Sequence, residues 1–168
     1  VTEENSITEG LVFHALFDDL MGLTAEDANN IENAVLLIKG PRLGATWREE
    51  DWLRLSQPNQ AIAIPTVEMN VKTGTIAVWL EPKDLSGTKF IIGHVCNNMN
   101  RLCLYTVEGK LAVGMGSTAK LKEDIANLTT GKPVHLALTW KNTDYAVYVD
   151  GQKKAEGEFS GLTELNTT

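Results

Sequence analysis

Three side chains, Trp79, His135 and Tyr148, are the strongest candidates for chemistry in this sequence. Each lies at the outward-pointing position of a segment with alternating residues, so we expect all three on one face of a sheet. Such an aromatic face suits a sugar ring, whose apolar C–H groups stack while its hydroxyls seek donors and acceptors. The alternative is that a loop covers Trp79 and makes it core, because Trp is largely buried on average.

Two cysteines, Cys96 and Cys103, flank a short polar segment. A hairpin centred between Met99 and Asn100 would set the two cysteines opposite each other, where they either form a disulfide or remain free thiols. Their spacing fits no zinc pattern, because the nearby His94 has no fourth partner in the sequence.

Most of the chain shows period-2 alternation in short segments, which are separated by Gly, Asn, Asp and Pro. This pattern is typical of half-buried strands and their turns. Tight joints such as Glu108-Gly109 and Asp150-Gly151 predict that neighbouring strands are antiparallel. We predict strands at residues 11–17, 52–55, 61–64, 75–81, 89–96, 102–107, 111–115, 134–141 and 145–150.

Residues 24–37 are the exception to this alternation. Thr24 can cap a helix there, and Ala28, Ile31 and Val35 fall at helical spacing, so we predict one short helix. No repeat, low-complexity tract or linker divides the 168 residues. The sequence therefore predicts a single all-β domain, an antiparallel two-sheet jelly-roll sandwich with one short helix.

The charge of the chain excludes several classes of partner. A formal net charge of -7 repels phosphate backbones and anionic lipids, whose binding needs clustered Lys and Arg. The one dense basic stretch, residues 120–122, is followed at once by Glu123 and Asp124 and predicts a solvated turn. No apolar run approaches the roughly 20 residues that cross a bilayer. We therefore expect neither nucleic-acid binding nor membrane insertion.

Four segments, taken in order, resemble a known family. The set resembles the laminin G-like jelly roll of the concanavalin A-like lectin and glucanase group, and it spans nearly the whole chain as one domain, residues 1–168. The resemblance implies a secreted or cell-envelope protein. The segments are GLVFHALFDD at 10–19, WLRLS at 52–56 with AIAIP at 61–65, TIAVWLEP at 75–82, and VHLALTW at 134–140 with AVYVDG at 146–151.

The resemblance also implies a structural calcium ion, because related jelly rolls often hold one where this chain has Asp18 and Asp19. Calcium takes about six to eight oxygens, more than two carboxylates supply, so a solvated acidic turn is the alternative. Related domains continue past residues 161–165 into further strands. Without them, a sheet edge would stay unpaired, and a second chain in a homo-oligomer or residues 24–37 would cover it.

Laminarinase-like members of this group hydrolyse glycans with carboxylates that alternate along one strand. This chain lacks that pattern, since Glu49, Glu50 and Asp51 are consecutive and cannot all face one side of a strand. We therefore expect no catalytic residue and a non-catalytic module that binds a glycan. An extracellular protein is the alternative partner, and a glycan hydrolase or lyase is the alternative enzyme.

Overall fold

The computed structural model describes Thr66, residues 69–95 and 97–165, and the backbone of four short strands nearer the N-terminus. The chain divides into two compact units. One contains Val1–Glu68 with Thr167–Thr168, and the other contains Met69–Asn166.

Within the part of the first unit that the structure describes, four short strands form two antiparallel pairs. β1 pairs with β4, and β2 pairs with β3. The predicted strands at 52–55 and 61–64 coincide with β3 and β4, whereas the predicted strand at 11–17 lies outside the described residues. The predicted helix also lies outside them, except that its last residue, Leu37, begins β1. The bounds are β1 Leu37–Lys39, β2 Thr46–Trp47, β3 Leu53–Arg54 and β4 Ala61–Ala63.

The second unit is built from two antiparallel sheets of four strands each. The first sheet has the order β12-β11-β10-β5, and the second sheet has the order β6-β7-β8-β9. This arrangement confirms the all-β fold class and is that of a jelly-roll sandwich. The bounds are β5 Thr73–Leu80, β6 Thr88–Val95, β7 Arg101–Val107, β8 Lys110–Gly116, β9 Thr118–Lys122, β10 Val134–Lys141, β11 Asp144–Val149 and β12 Gln152–Glu158.

Both sheets place their aliphatic faces on one shared core. The parity predicted from the sequence is confirmed, because Leu136, Leu138 and Val147 are fully buried while Trp79 is exposed. Burial of apolar side chains is the main favourable term in folding, and the alternation directs it to one side of each sheet. The second sheet adds further buried side chains, which are Leu102, Leu104, Leu111, Val113 and Met115.

Two edge strands of these sheets were absent from the sequence prediction. β9 includes residues 120–122, so the predicted solvated turn there is wrong. Within β9 only Leu121 is half-buried, and within β12 only Ala155 is fully buried. Edge strands that expose most of their side chains are rich in Lys and Glu and do not alternate clearly, which is why the pattern missed them.

One rung of the first sheet crosses all four strands as Gly74, Trp140, Tyr145 and Gly157. The two aromatic side chains on the central strands are buried, and a glycine lies beside each ring on an edge strand. The indole Nε1 of Trp140 donates a hydrogen bond to the carbonyl oxygen of Val71 at 3.2 Å. Glycine lets a neighbouring ring cover its backbone, so this rung closes one end of the core.

A buried amide joins the hairpin between β6 and β7 to the C-terminal segment. Asn100 is 1% exposed. Its Oδ1 accepts hydrogen bonds from the backbone nitrogens of Thr163 at 2.7 Å and Glu164 at 3.2 Å. Its Nδ2 donates to the side-chain oxygens of Asn97 and Thr163. Because a buried amide needs partners, these bonds fix the segment against the second sheet.

Candidate functional site

Two predicted site residues, Trp79 and His135, meet on the outer face of the first sheet. They are direct partners across β5 and β10. Their ring centroids lie 5.1 Å apart with an interplanar angle of 52°. Trp79 is 62% exposed, so it is a surface residue and the alternative that assigned it to the core is wrong.

The third predicted residue, Tyr148, lies on the same face but in another rung. It pairs with Ala137, which is two residues from His135 on β10. Diagonal neighbours in a sheet lie about 7–8 Å apart, so Tyr148 lies close to the histidine without being its direct partner. Ala77 and Ala137 face each other between the rings and make a low floor. We call Trp79, His135 and Tyr148, with these alanines, the aromatic platform.

A tight turn fixes the end of the platform that carries Trp79 and His135. The backbone nitrogen of His135 donates to Asp150 Oδ1 at 2.9 Å, and the backbone nitrogen of Asp150 donates to the carbonyl oxygen of His135 at 2.8 Å. Asp150 and Gly151 have φ values of 49° and 75°. Two consecutive residues at positive φ are typical of the hairpin turn that an Asp-Gly pair favours.

Charged side chains border the platform on β12. Lys153 pairs with Tyr148 in the ladder, and Glu156 pairs with Ala146. Lys153 Nζ lies 2.5 Å from Glu156 Oε2. The hydrogen bond from Lys153 lowers the pKa of Glu156, and the same bond raises the pKa of Lys153. Both groups therefore stay charged at neutral pH and can bond to hydroxyl groups.

The structure shows a second candidate site, which the sequence did not predict, in a groove on the outer face of the second sheet. Its volume is about 470 Å³. The groove is open to solvent, and its lining combines apolar side chains with a few polar groups. The described residues that line it are Thr88, Phe90, Arg101, Cys103, Tyr105, Val107, Ala119, Lys120 and Glu123.

An aromatic pair forms one wall of this groove. Phe90 pairs with Tyr105 across β6 and β7, and their ring centroids lie 5.4 Å apart at an interplanar angle of 32°. Phe90 is 64% exposed, whereas Tyr105 is buried. Burial raises the pKa of Tyr105, so its hydroxyl stays protonated. The wall therefore offers an exposed phenyl face beside a phenol that keeps its proton.

A register shift in β6 explains why alternation did not reveal the groove. The ladder to β7 is irregular between Phe90 and Ile92. Phe90 and Gly93 therefore lie on the outer face, while Ile92 packs against the core. A β-bulge inserts one unpaired residue and so reverses the parity that a strict period of two predicts. A Cβ atom on Gly93 would lie 3.3 Å from the Phe90 ring, so this glycine leaves space for the ring.

Charged groups also line the groove, with Arg101 on β7 beyond Cys103 and with Lys120 and Glu123 at β9. Arg101 Nη1 donates to the carbonyl oxygens of Asn98 at 2.8 Å and Ser117 at 2.9 Å, and Nη2 donates to Asn98 Oδ1 at 2.9 Å. Lys120 Nζ lies 2.5 Å from Glu123 Oε1. The described lining thus holds two cations and one carboxylate, and that carboxylate is paired with the lysine.

Cys103 lies in the floor of the groove as a buried free thiol. Burial raises the pKa of this thiol. Its partner in the ladder is Gly93, so the prediction that Cys96 faces it is wrong. The hairpin is centred on Asn98 instead, because Asn97 Oδ1 accepts a hydrogen bond from the Met99 nitrogen at 2.8 Å and extends the turn. Cys96 itself lies outside the described residues.

The predicted calcium ligands Asp18 and Asp19 lie outside the described residues, so the calcium site stays a prediction. Within residues that the structure describes, no group of three or more His, Cys, Asp or Glu side chains is arranged to hold a metal ion. The same part of the chain contains no helix that is long and apolar enough to cross a membrane.

Comparison with known proteins places these features in a family. Residues 56–168 match the family model of the concanavalin A-like lectin/glucanases superfamily. No curated protein sequence matches the chain. One similar solved structure is a protein of Bacteroides ovatus ATCC 8483 that is provisionally named as carbohydrate binding. It is 19% identical, with a TM-score of 0.46, over 59% of this chain and 30% of that protein. The chain belongs to the concanavalin A-like lectin/glucanase superfamily.

Proposed function

We propose that this domain is a non-catalytic carbohydrate-binding module that binds glycans on its aromatic platform. The observation that carries the proposal is the exposed indole of Trp79 in contact with His135. Burying an apolar ring in the core would have stabilised the fold, yet this ring faces solvent. Membership in a superfamily that contains lectins and glucanases supports a glycan as the ligand. Such a ligand implies a secreted or cell-envelope location.

The platform matches the two kinds of surface that a sugar presents. The indole of Trp79 offers a flat apolar face to the C–H groups of a pyranose ring. His135, Tyr148 and the Lys153–Glu156 pair offer donors and acceptors for its hydroxyls. Because Ala77 and Ala137 keep the floor between the rings low, a sugar chain can lie across β5, β10 and β11 without a steric block.

The carboxylates beside the platform support binding rather than hydrolysis. A glycosidase acid must hold a proton at neutral pH, which requires a raised pKa. The pKa of Glu156 is lowered by its bond to Lys153. Asp150 accepts the backbone hydrogen bond that closes the hairpin. Neither group is arranged as a general acid, so the chemistry of the platform favours a module that releases its glycan unchanged.

The test is affinity electrophoresis of purified protein through gels that contain β-glucan, xylan or alginate. We expect one of these polymers to retard the protein, and Trp79→Ala to weaken that affinity about tenfold through loss of ring stacking. Met99→Ala is the matched control, because Met99 is 59% exposed on a turn of the other sheet. It should migrate like the unchanged protein. Equal migration of Trp79→Ala and the unchanged protein in every gel would overturn the proposal that the aromatic platform binds glycans.

The same samples separate the alternative functions. A reducing-end assay on β-glucan and an assay for unsaturated products on alginate should show no turnover above buffer. Turnover that disappears in Glu156→Gln would instead identify a hydrolase or lyase. An adhesion module would bind a protein partner that free sugar does not displace, and this result would replace the glycan as the ligand.

A further inference from the structure

We infer that the groove on the second sheet is a second binding site, and that it takes an acidic oligosaccharide whose sugar residues carry carboxylates. The inference rests on the proposed carbohydrate-binding function. It adds a site on a different sheet and a different ligand chemistry from the platform. The groove is an open cleft of about 470 Å³.

The aromatic wall provides the surface on which a sugar ring would stack. Phe90 is 64% exposed, while Tyr105 supports it from the neighbouring strand with ring centroids 5.4 Å apart. Cys103 lies between Gly93 and Gly114 in the ladder, with the Phe90 ring over Gly93 and the backbone of Ala119 over Gly114. A sugar that contacts the phenyl face would therefore lie between this ring and β9.

Arg101 provides the charge that selects an acidic sugar. Its guanidinium donates to two carbonyl oxygens and one amide oxygen, all of them neutral. Three of its five N–H groups are used, so two remain for a ligand. Within the described lining, Lys120 neutralises Glu123 and leaves the arginine as the excess charge. On a chain of formal net charge -7, a groove with an excess positive charge favours a carboxylate ligand.

The spacing of these groups indicates the length of the ligand. Tyr105 and Arg101 lie four residues apart on β7, on the same face, with Cys103 between them. A strand rises about 3.3 Å per residue, so the Cα atoms of Tyr105 and Arg101 are separated by about 13 Å. This distance is longer than one sugar ring. The groove therefore fits a short oligosaccharide that stacks one residue on Phe90 and places the carboxylate of another at Arg101.

The experiment is calorimetric titration with trigalacturonic acid and trimannuronic acid, each compared with its methyl ester. We expect one of the two acids to bind about tenfold more tightly than its ester, because the ester removes the charge that Arg101 recognises. Arg101→Gln should weaken binding of that acid about tenfold and leave the ester unchanged. Phe90→Ala should weaken the acid and the ester by similar factors, since both stack on the ring.

Two controls separate recognition from folding. Arg101 also joins two turns, so its variants are first compared by thermal unfolding. Arg101→Lys keeps the charge and should keep most of the preference for acid over ester. If Arg101→Gln does not fold, binding of the acid and of the ester is compared in Arg101→Lys instead. Equal affinity of this variant for the two ligands would then overturn the inference. Lys141→Gln removes one exposed positive charge from the other sheet and should change nothing.

The outcomes distinguish this inference from the proposed function. Trp79→Ala should bind the acid like the unchanged protein, because Trp79 lies on the first sheet. The inference is overturned if acid and ester bind equally, if neither acid binds, or if Phe90→Ala has no effect. The proposal that the aromatic platform binds glycans is unaffected by all three results as long as Trp79→Ala weakens binding of a polymer. If no glycan binds the unchanged protein in either assay, both proposals are wrong.

Discussion

The indole of Trp140 occupies the space beside Gly74, its direct partner on β5. A Cβ atom built on Gly74 would overlap Cζ2 and Cη2 of the ring. On the far side of the same rung, a Cβ atom on Gly157 would lie 2.9 Å from Cε1 of Tyr145. The buried aromatic pair therefore depends on two glycines that lie on edge strands of the first sheet.

Gly74→Ala should destabilise the protein by about 1–3 kcal/mol, because the added methyl group forces Trp140 off its position in a close-packed core. Urea unfolding followed by tryptophan fluorescence measures this change. Thr75→Ala is the control, since this exposed neighbour on β5 should shift the free energy of unfolding by less than about 0.5 kcal/mol. An unchanged midpoint for Gly74→Ala would show that the ring has room to move.

Asn100→Ala should cost about 2–3 kcal/mol of stability, because the backbone nitrogens of Thr163 and Glu164 lose their buried acceptor. The C-terminal segment should then exchange its amide hydrogens faster than the strands do. Hydrogen exchange with mass spectrometry measures both effects. Asn127→Ala, at an exposed asparagine, should leave the exchange pattern unchanged. Equal protection of residues 163–165 in both variants would contradict the role assigned to Asn100.

Stability should fall as the pH falls below about 6.5, in part through His94. Burial lowers the pKa of His94 from its ordinary value of 6.5. The unfolded chain therefore binds the proton more tightly than the folded chain, so this stability is present above pH 6.5 and is lost toward the lower folded pKa. Urea midpoints at about pH 8 and about pH 5.5 measure the loss. His94→Gln should reduce the difference between the two midpoints. An undiminished difference would show that other groups cause the loss of stability at low pH.

The thiol of Cys103 should react slowly with Ellman's reagent in the folded protein. It is buried, and burial raises its pKa, so little of the reactive thiolate is present at neutral pH. A Cys96→Ser background isolates this thiol. We expect complete reaction in urea and a rate at least about tenfold lower without it. Rapid reaction of the folded protein would show that the floor of the groove is open to reagents.

The strands that carry the platform were predictable because they alternate strongly. β5, β10 and β11 each bury one aliphatic row, so the outward positions of Trp79, His135 and Tyr148 followed from parity alone. The contact between Trp79 and His135 did not follow, because it depends on the register between two strands that are far apart in sequence. Parity assigns a face to each residue, whereas only the folded ladder assigns a partner.

The groove was not predictable by the same method. Its aromatic wall depends on an irregular ladder beside Phe90, and its far side is formed by β9, an edge strand with little apolar pattern. The prediction that Cys96 faces Cys103 was wrong for a related reason, because the side chain of Asn97 extends the turn. Local hydrogen bonds and inserted residues change the register without leaving a period in the sequence.

The irregular ladder also lets β6 contribute one side chain to the core and another to the groove. Ile92 serves the interior, while Phe90, displaced by the extra residue, belongs wholly to the surface. Substitutions at position 90 can therefore alter which molecules the groove accepts while the packed interior keeps its composition. Deleting Ile91 would restore simple alternation with the phenyl ring still outward, because Phe90 would then directly precede the inward Ile92. The core would lose the half-buried Ile91 side chain, while the groove would keep its wall.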